Sequence, residues 1–141
     1  MKREIKFRAK DYSNNWVYGN LIHSRRFSGC SNEWRIHDCK GGFESDVFPD
    51  TVGQFTGLYD KNSKEIYEGD ILKLDCFQTD KGGFNQNAVV IYECQDNNDG
   101  TQTSGFYIET IDDNERMCIL RGRRIEVIGN IHDNPELLQA N

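Results

Sequence analysis

Asp60, Glu65, Glu68 and Asp70 fall within one short stretch of the chain. Clustered carboxylates can hold a divalent cation through hard oxygen ligands, or work as an acid/base pair. Their local setting points to another use. Asp60 opens the run Asp60-Lys61-Asn62-Ser63, and Glu68-Gly69-Asp70 reads as a tight turn. In such places short acidic side chains accept hydrogen bonds from nearby backbone amides. No basic partner stands at a fixed spacing from any of the four. Asp60, Asn62, Glu68, Gly69 and Asp70 are therefore expected to form a structural turn motif, with no catalytic residue among them.

Cys30, His37 and Cys39 could supply three zinc ligands, with Cys76, Cys94 or Cys118 as a fourth. Eight residues separate Cys30 from Cys39 and one separates His37 from Cys39, which matches no common finger or ribbon spacing. Cys76, Cys94 and Cys118 fall in strand-like runs and are expected to be small buried hydrophobes. His23 and His132 stand apart from any Ser or Cys nucleophile. Neither GxxxxGK[ST] nor GxGxxG occurs, and Lys81-Gly82-Gly83 has no helix behind it. The expectation is no metal and no cofactor.

A third chemistry is phosphate contact combined with base stacking. Lys2, Arg3, Lys6, Arg8, Lys10, Arg25 and Arg26 are interleaved with Phe7, Tyr12, Trp16, Phe27 and Trp34. Lys6, Arg8, Lys10, Arg25, Arg26 and Trp34 are the candidate surface for a partner or a nucleic acid. Charge weighs against the nucleic acid. Residues 1–40 carry nine Lys or Arg against four acids, but residues 41–141 carry eight against nineteen, for a formal net charge of −6. That acidic remainder repels a phosphate backbone. Arg121, Arg123 and Arg124 form a second basic cluster around Gly122.

The elements that must position these residues read as short strands. Ile5, Phe7 and Ala9 alternate with Lys6, Arg8 and Lys10, so one face of this strand is expected to be wet and basic. Asp11 to Asn15 is a turn, and Trp16 to Ile22 returns as the second strand of a hairpin. Residues 24–46 show no lasting periodicity and read as a long loop with one short strand at Trp34-Arg35-Ile36. Val52–Tyr59, Glu65–Tyr67, Ile71–Leu74, Ala88–Cys94, Gly105–Ile111, Met117–Leu120 and Ile125–Ile131 follow as strands, with loops at 79–87 and 95–104. Asn134 as N-cap, Pro135 at N1 and Glu136 in the first turn predict a short C-terminal helix carrying Leu137 and Leu138.

Length and composition agree with a mainly β domain. The chain has 141 residues, with thirteen Gly and only two Pro, and 36% of its residues are apolar. Its mean hydropathy is −0.75. Eight Phe, six Tyr and two Trp supply much of the mass available for a core. Five cysteines with no CxxC, and the start MKREIKFRAK with no apolar run, predict a reducing cytoplasm and no membrane segment.

Three blocks together resemble a known family. EIKFRAKDYSNNWVYGNLI at 4–22, VGQFTGLYDKNSKEIYEGDILKL at 52–74 and RIEVIGNIHDNPELL at 124–138 are similar to the YopX-like proteins of phages and prophages. The resemblance implies phage or prophage origin and a bacterial cytoplasmic setting. It also implies an N-terminal β segment ahead of a barrel-like part, and it brings no reaction. Where the family carries Asn-Gly this chain has Asn62-Ser63, which predicts a longer or type I turn in place of a primed two-residue hairpin.

The fold expected is a β-hairpin and loop segment over residues 1–50, followed over 51–141 by a small SH3-like or strongly bent five-stranded barrel with a short terminal helix. The two parts form one cooperative unit. The function expected is a non-enzymatic binding or assembly module, partnered by itself or by a host or phage protein. A nucleic-acid-associated role through residues 1–40 is the alternative, and a metal-assisted hydrolase the third reading.

Overall fold

A computed structural model of the chain describes residues 2–25, 32–75, 85–112, 114–118 and 125–139. Within them the protein is mainly β. β1 (Phe7–Lys10) and β2 (Trp16–Arg25) form the first hairpin, with Phe7 opposite Gly19 and Lys10 opposite Trp16. Asp11 closes it, because its Oδ1 accepts from the backbone N–H groups of Ser13 and Asn15, both at 2.9 Å. β2 continues against β3 (Asn32–His37), which pairs with β4 (Glu44–Asp46). Where a long loop with one short strand is expected over 24–46, the described residues hold the end of β2 and two strands, β3 and β4. Leu21 sits opposite Ile36 and His23 opposite Trp34, so period-two alternation does operate there, over runs too short to stand out.

β5 (Gly53–Tyr59) pairs with β1 and β6 (Glu65–Tyr67) follows it, giving a six-stranded sheet in the order β4-β3-β2-β1-β5-β6. The turn between β5 and β6 repeats the Asp11 construction. Asp60 N–H donates to Lys64 O at 2.8 Å and Ser63 N–H to Asp60 O at 3.0 Å. This is the longer turn that Asn62-Ser63 predicts. Ser63 nevertheless adopts the positive φ, 63°, as Asn14 does at 66° in the first hairpin. A three-residue loop places its left-handed position one residue later than a primed turn does.

The second sheet has the order β10-β9-β8-β7-β11, built from β7 (Asp70–Asp75), β8 (Asn85–Asp96), β9 (Gln102–Thr110), β10 (Arg116–Cys118) and β11 (Ile125–Asn130). It does not close into the expected barrel. Part of the outer edge of β11 is already occupied, since Lys61 N–H donates to Ile125 O at 2.9 Å and Val127 N–H to Asp60 Oδ2 at 3.0 Å. The C-terminal helix is also corrected, to a single 3-10 turn over Pro135–Leu138. Asn134 makes no side-chain cap there; its Oδ1 accepts from Asn130 N–H instead, at 3.3 Å.

The chain divides into two compact units, Met1–Gly57 and Leu58–Asn141, with the division inside β5. In the first, Ala9, Ile36 and Val47 form the buried centre, with Phe7, Val17, Leu21, Trp34 and Val52 packed on it. In the second, Ile66, Leu72, Leu74, Ala88, Val90, Ile108 and Ile125 do so, flanked by Leu58, Met117 and Val127. Each Val, Leu or Ile side chain among them contributes about 1.5–3 kcal/mol when fully removed from water. Among the described residues no helix is long and apolar enough to cross a membrane.

Candidate functional site

The structure gathers part of the predicted basic surface and covers it. Arg8 and Lys10 occupy alternate positions of β1 and Lys6 immediately precedes it, so all three share one face. The Arg8 guanidinium lies 4.6 Å from the centre of the Trp16 ring, Lys10 Nζ 5.4 Å from the same ring, and Lys6 Nζ 5.2 Å from that of Phe55. Lys10 Nζ also donates to Asn14 Oδ1 at 3.1 Å, and Lys6 reaches Glu4 at 3.5 Å. Arg8 is 6% exposed and Lys10 8%. The wet basic face read from alternation is therefore a covered one. The cationic heads are drawn to the ring faces, and long apolar stems let such side chains be buried. Trp34 belongs to the opposite face, where it packs on the Ala9 cluster and stacks on His23 with ring centres 4.0 Å apart. Arg25 ends β2, and Arg26 lies outside the described residues.

Among the described residues the zinc candidates are not drawn together as ligands. Cys30 lies outside the described residues. Cys39 Sγ accepts from Asn20 Nδ2 at 3.1 Å and donates to the backbone oxygen of His37 at 3.9 Å, not to its ring. His37 Nδ1 is 3.8 Å from Glu44, whose other oxygen takes Arg35 at 2.8 Å. Among the described residues no three His, Cys, Asp or Glu side chains are grouped to hold a metal ion.

Two of the central acids, Asp60 and Asp70, face backbone. Asp60 is 7% exposed, and its carboxylate accepts from Asn62 and Lys64 N–H through Oδ1 and from Val127 N–H through Oδ2. Burial alone would raise its pKa; the three backbone donors outweigh this and hold it below the usual carboxylate value. Asp70 Oδ2 accepts from Tyr67 N–H at 2.8 Å, and Glu65 Oε2 from the Tyr67 hydroxyl at 2.7 Å. Between them Gly69, at φ +86°, donates its N–H to Val90 O and accepts from Ile131 N–H, both at 2.9 Å. Glu68 precedes it in the turn, half-buried.

A feature that sequence reading missed is the outer half of the β8–β9 hairpin. The two strands pair from Ala88 opposite Thr110 to Asp96 opposite Gln102, but among the described residues β7 pairs with β8 only as far as Val89, and β10 covers β9 only at 107–109. Beyond that, Ile91–Asp96 and residues 102–106 make a two-stranded arm. Its apolar face leaves the core in register: Val90 and Ile108 are buried, whereas the next pair, Tyr92 and Phe106, meets edge to face at 5.1 Å with Tyr92 52% exposed. Cys94 follows Tyr92 on that face and is exposed, correcting the expectation that it is buried. Alternation continues past the last covering layer, and the pattern Val90-Tyr92-Cys94 reads the same on either side of that limit. Cys76 lies outside the described residues, and Cys118 ends β10.

The arm is braced by polar contacts. On its other face Arg116 bridges Glu93 and Glu109, and the hydrogen bond to Glu109 leads in raising the guanidinium pKa. At the tip, Asn97 Nδ2 donates to the hydroxyls of Thr101 and Thr103, and Gln102 Nε2 to Asp96 Oδ1. The Thr101 hydroxyl and N–H hold the Asp99 pKa low. The backbone direction of the arm is fixed by Gly69 N–H, which donates to Val90 O from the side away from β9. Alternation then turns the N–H and C=O of Tyr92 and Cys94 to the same outer edge. Among the described residues no strand pairs with that edge.

Comparison with known proteins finds relatives of nearly the whole chain. The family model described as YopX protein matches residues 6–139. The crystal structure of protein EF1440 from Enterococcus faecalis is similar, at 25% identity and a TM-score of 0.52, with 98% of this chain and 100% of that chain covered. None of the curated proteins compared with the chain matches it.

Proposed function

The chain belongs to the YopX family, and from that premise we propose that it is a phage- or prophage-encoded, non-enzymatic binding module of the bacterial cytoplasm whose β8–β9 arm meets a protein partner. The partner is a second copy of the chain or a host or phage protein. The observation that carries this reading is the apolar face of the arm, which continues out of the core to an exposed Tyr92. Aromatic side chains in such positions are the commonest anchors of protein interfaces. The absence of a catalytic role is supported by Asp60 and Asp70, whose carboxylates accept backbone N–H groups. The nucleic-acid alternative loses support because Arg8 and Lys10 lie against Trp16, away from solvent.

Tyr92→Ser tests the proposal. The variant gives up one aromatic pair, worth about 0.5–1.5 kcal/mol, and should melt a few degrees below the parent while keeping the fold. Wild-type chain immobilised in lysate of phage-infected host cells should retain a specific protein, or further copies of itself, at least tenfold better than the variant. Equal retention by both, or no retention together with a strictly monomeric mass by light scattering at low salt, contradicts it.

A further inference from the structure

Sheet edges in natural proteins are commonly blunted by lysine, proline, a bulge or a covering element. The outer edge of the arm has none of these among the described residues. Ile91–Asp96 contains no Lys, Arg or Pro, and it runs in continuous register with β9. The backbone groups of Tyr92 and Cys94 lie along it, and Tyr92 offers a ring beside them. Its charge is one-sided. From Ile91 to Phe106 the arm holds Glu93, Asp96 and Asp99 and no base. Arg116, from β10, is shared between Glu93 and Glu109, so among the described residues the local excess stays negative. Pairing two copies edge to edge would bring three acids toward three acids, whereas a basic strand would neutralise them.

We propose that the Ile91–Asp96 edge takes up an extended, basic segment of a partner protein as an added strand. The proposal rests on reading the arm as the contact surface, and narrows the partner to one chemistry. Main-chain hydrogen bonds to Tyr92 and Cys94 hold the added strand, while its alternate side chains meet Tyr92 on one face and Glu93 on the other. Segments rich in Lys or Arg at every second position, with apolar residues between, fit this edge.

The probe is a labelled eight-residue peptide of alternating Lys and Val, titrated into the intact chain and followed by fluorescence anisotropy. It should bind, lose affinity as salt rises, and perturb the Tyr92 and Cys94 amide resonances. A Glu/Val peptide, and a Lys/Val peptide N-methylated at alternate residues, should each bind at least tenfold more weakly. Cys94→Pro removes one outward N–H at a position where an edge strand tolerates proline, and should weaken the Lys/Val peptide at least tenfold. The N-methylated peptide decides alone where that variant fails to fold. Equal binding by the N-methylated and plain peptides overturns the proposal. So does concentration-dependent protection of the Cys94 amide without peptide, which is the signature of a second copy on the edge. If the Tyr92→Ser variant loses its captured protein while the Lys/Val peptide does not bind, the arm stands as the contact surface and only the basic strand is wrong.

Discussion

Gly19→Ala is expected to destabilise the first unit by at least about 3 kcal/mol, at the upper end for overpacking. Gly19 has φ +154°, and a Cβ built there would lie 1.9 Å from the backbone oxygen of His37 and 2.7 Å from its carbonyl carbon. Both are atoms of β3, so no side chain can swing aside. Relief requires β2 and β3 to separate where Asn20 meets His37, one position before Leu21 and Ile36 close the core. Trp16 and Trp34 are the protein's tryptophans and both lie in this unit. Tryptophan fluorescence during chemical denaturation therefore reads it selectively. A loss below about 1 kcal/mol would mean that the strands have room the geometry does not show.

Asp60→Ala is expected to cost the second unit on the order of 3–5 kcal/mol, because three backbone donors lose one charged acceptor. Asp60→Asn keeps an acceptor oxygen and should cost less. The same carboxylate sets a pH dependence. Its pKa in the folded chain lies below the usual value. Its contribution is therefore complete above the unfolded value of about 3.9 and is lost as pH falls through the lower folded value. Protection of the Lys64 and Val127 amides from exchange, relative to the unstructured rate at the same pH, should fall on acidification in the wild type and be low throughout in Asp60→Ala. Strong protection at Val127 in that variant contradicts the assignment.

These two residues show how unevenly the structure was readable. The turn at Asp60 is legible from its neighbours alone, since Asp followed by Lys-Asn-Ser is turn chemistry whatever the rest of the chain does. The Asp60 bond to Val127 spans 67 positions, and no local pattern encodes such a distance. β1 and the β1–β2 turn followed from alternation and from Asp11. The burial of Arg8 and Lys10 did not, because alternation marks a polar side chain as facing away from its apolar neighbours and cannot tell whether Trp16 lies over it. The strands around Trp34 were half lost for want of length. The short C-terminal helix was expected from Asn134 and Pro135, yet Asn134 turned its side chain toward Asn130.

The candidate site was the least readable part. The sequence pointed to cations and to Trp34, which the sheet places on opposite faces, with two of the cations against Trp16. The arm is unmarked in the sequence because Tyr92 and Cys94 continue the period of Val90 without a break. What distinguishes them is the end of β7 pairing at Val89, a property of a neighbouring strand.

The most direct test of the arm as the contact surface is photocrosslinking in the native host. A benzophenone amino acid replaces Tyr92 in one chain and, as a control, Phe43, which is 73% exposed in the other unit. Irradiation of phage-infected cells should give a discrete covalent adduct from position 92 and none from position 43. An adduct from position 43 with none from position 92 would contradict the account.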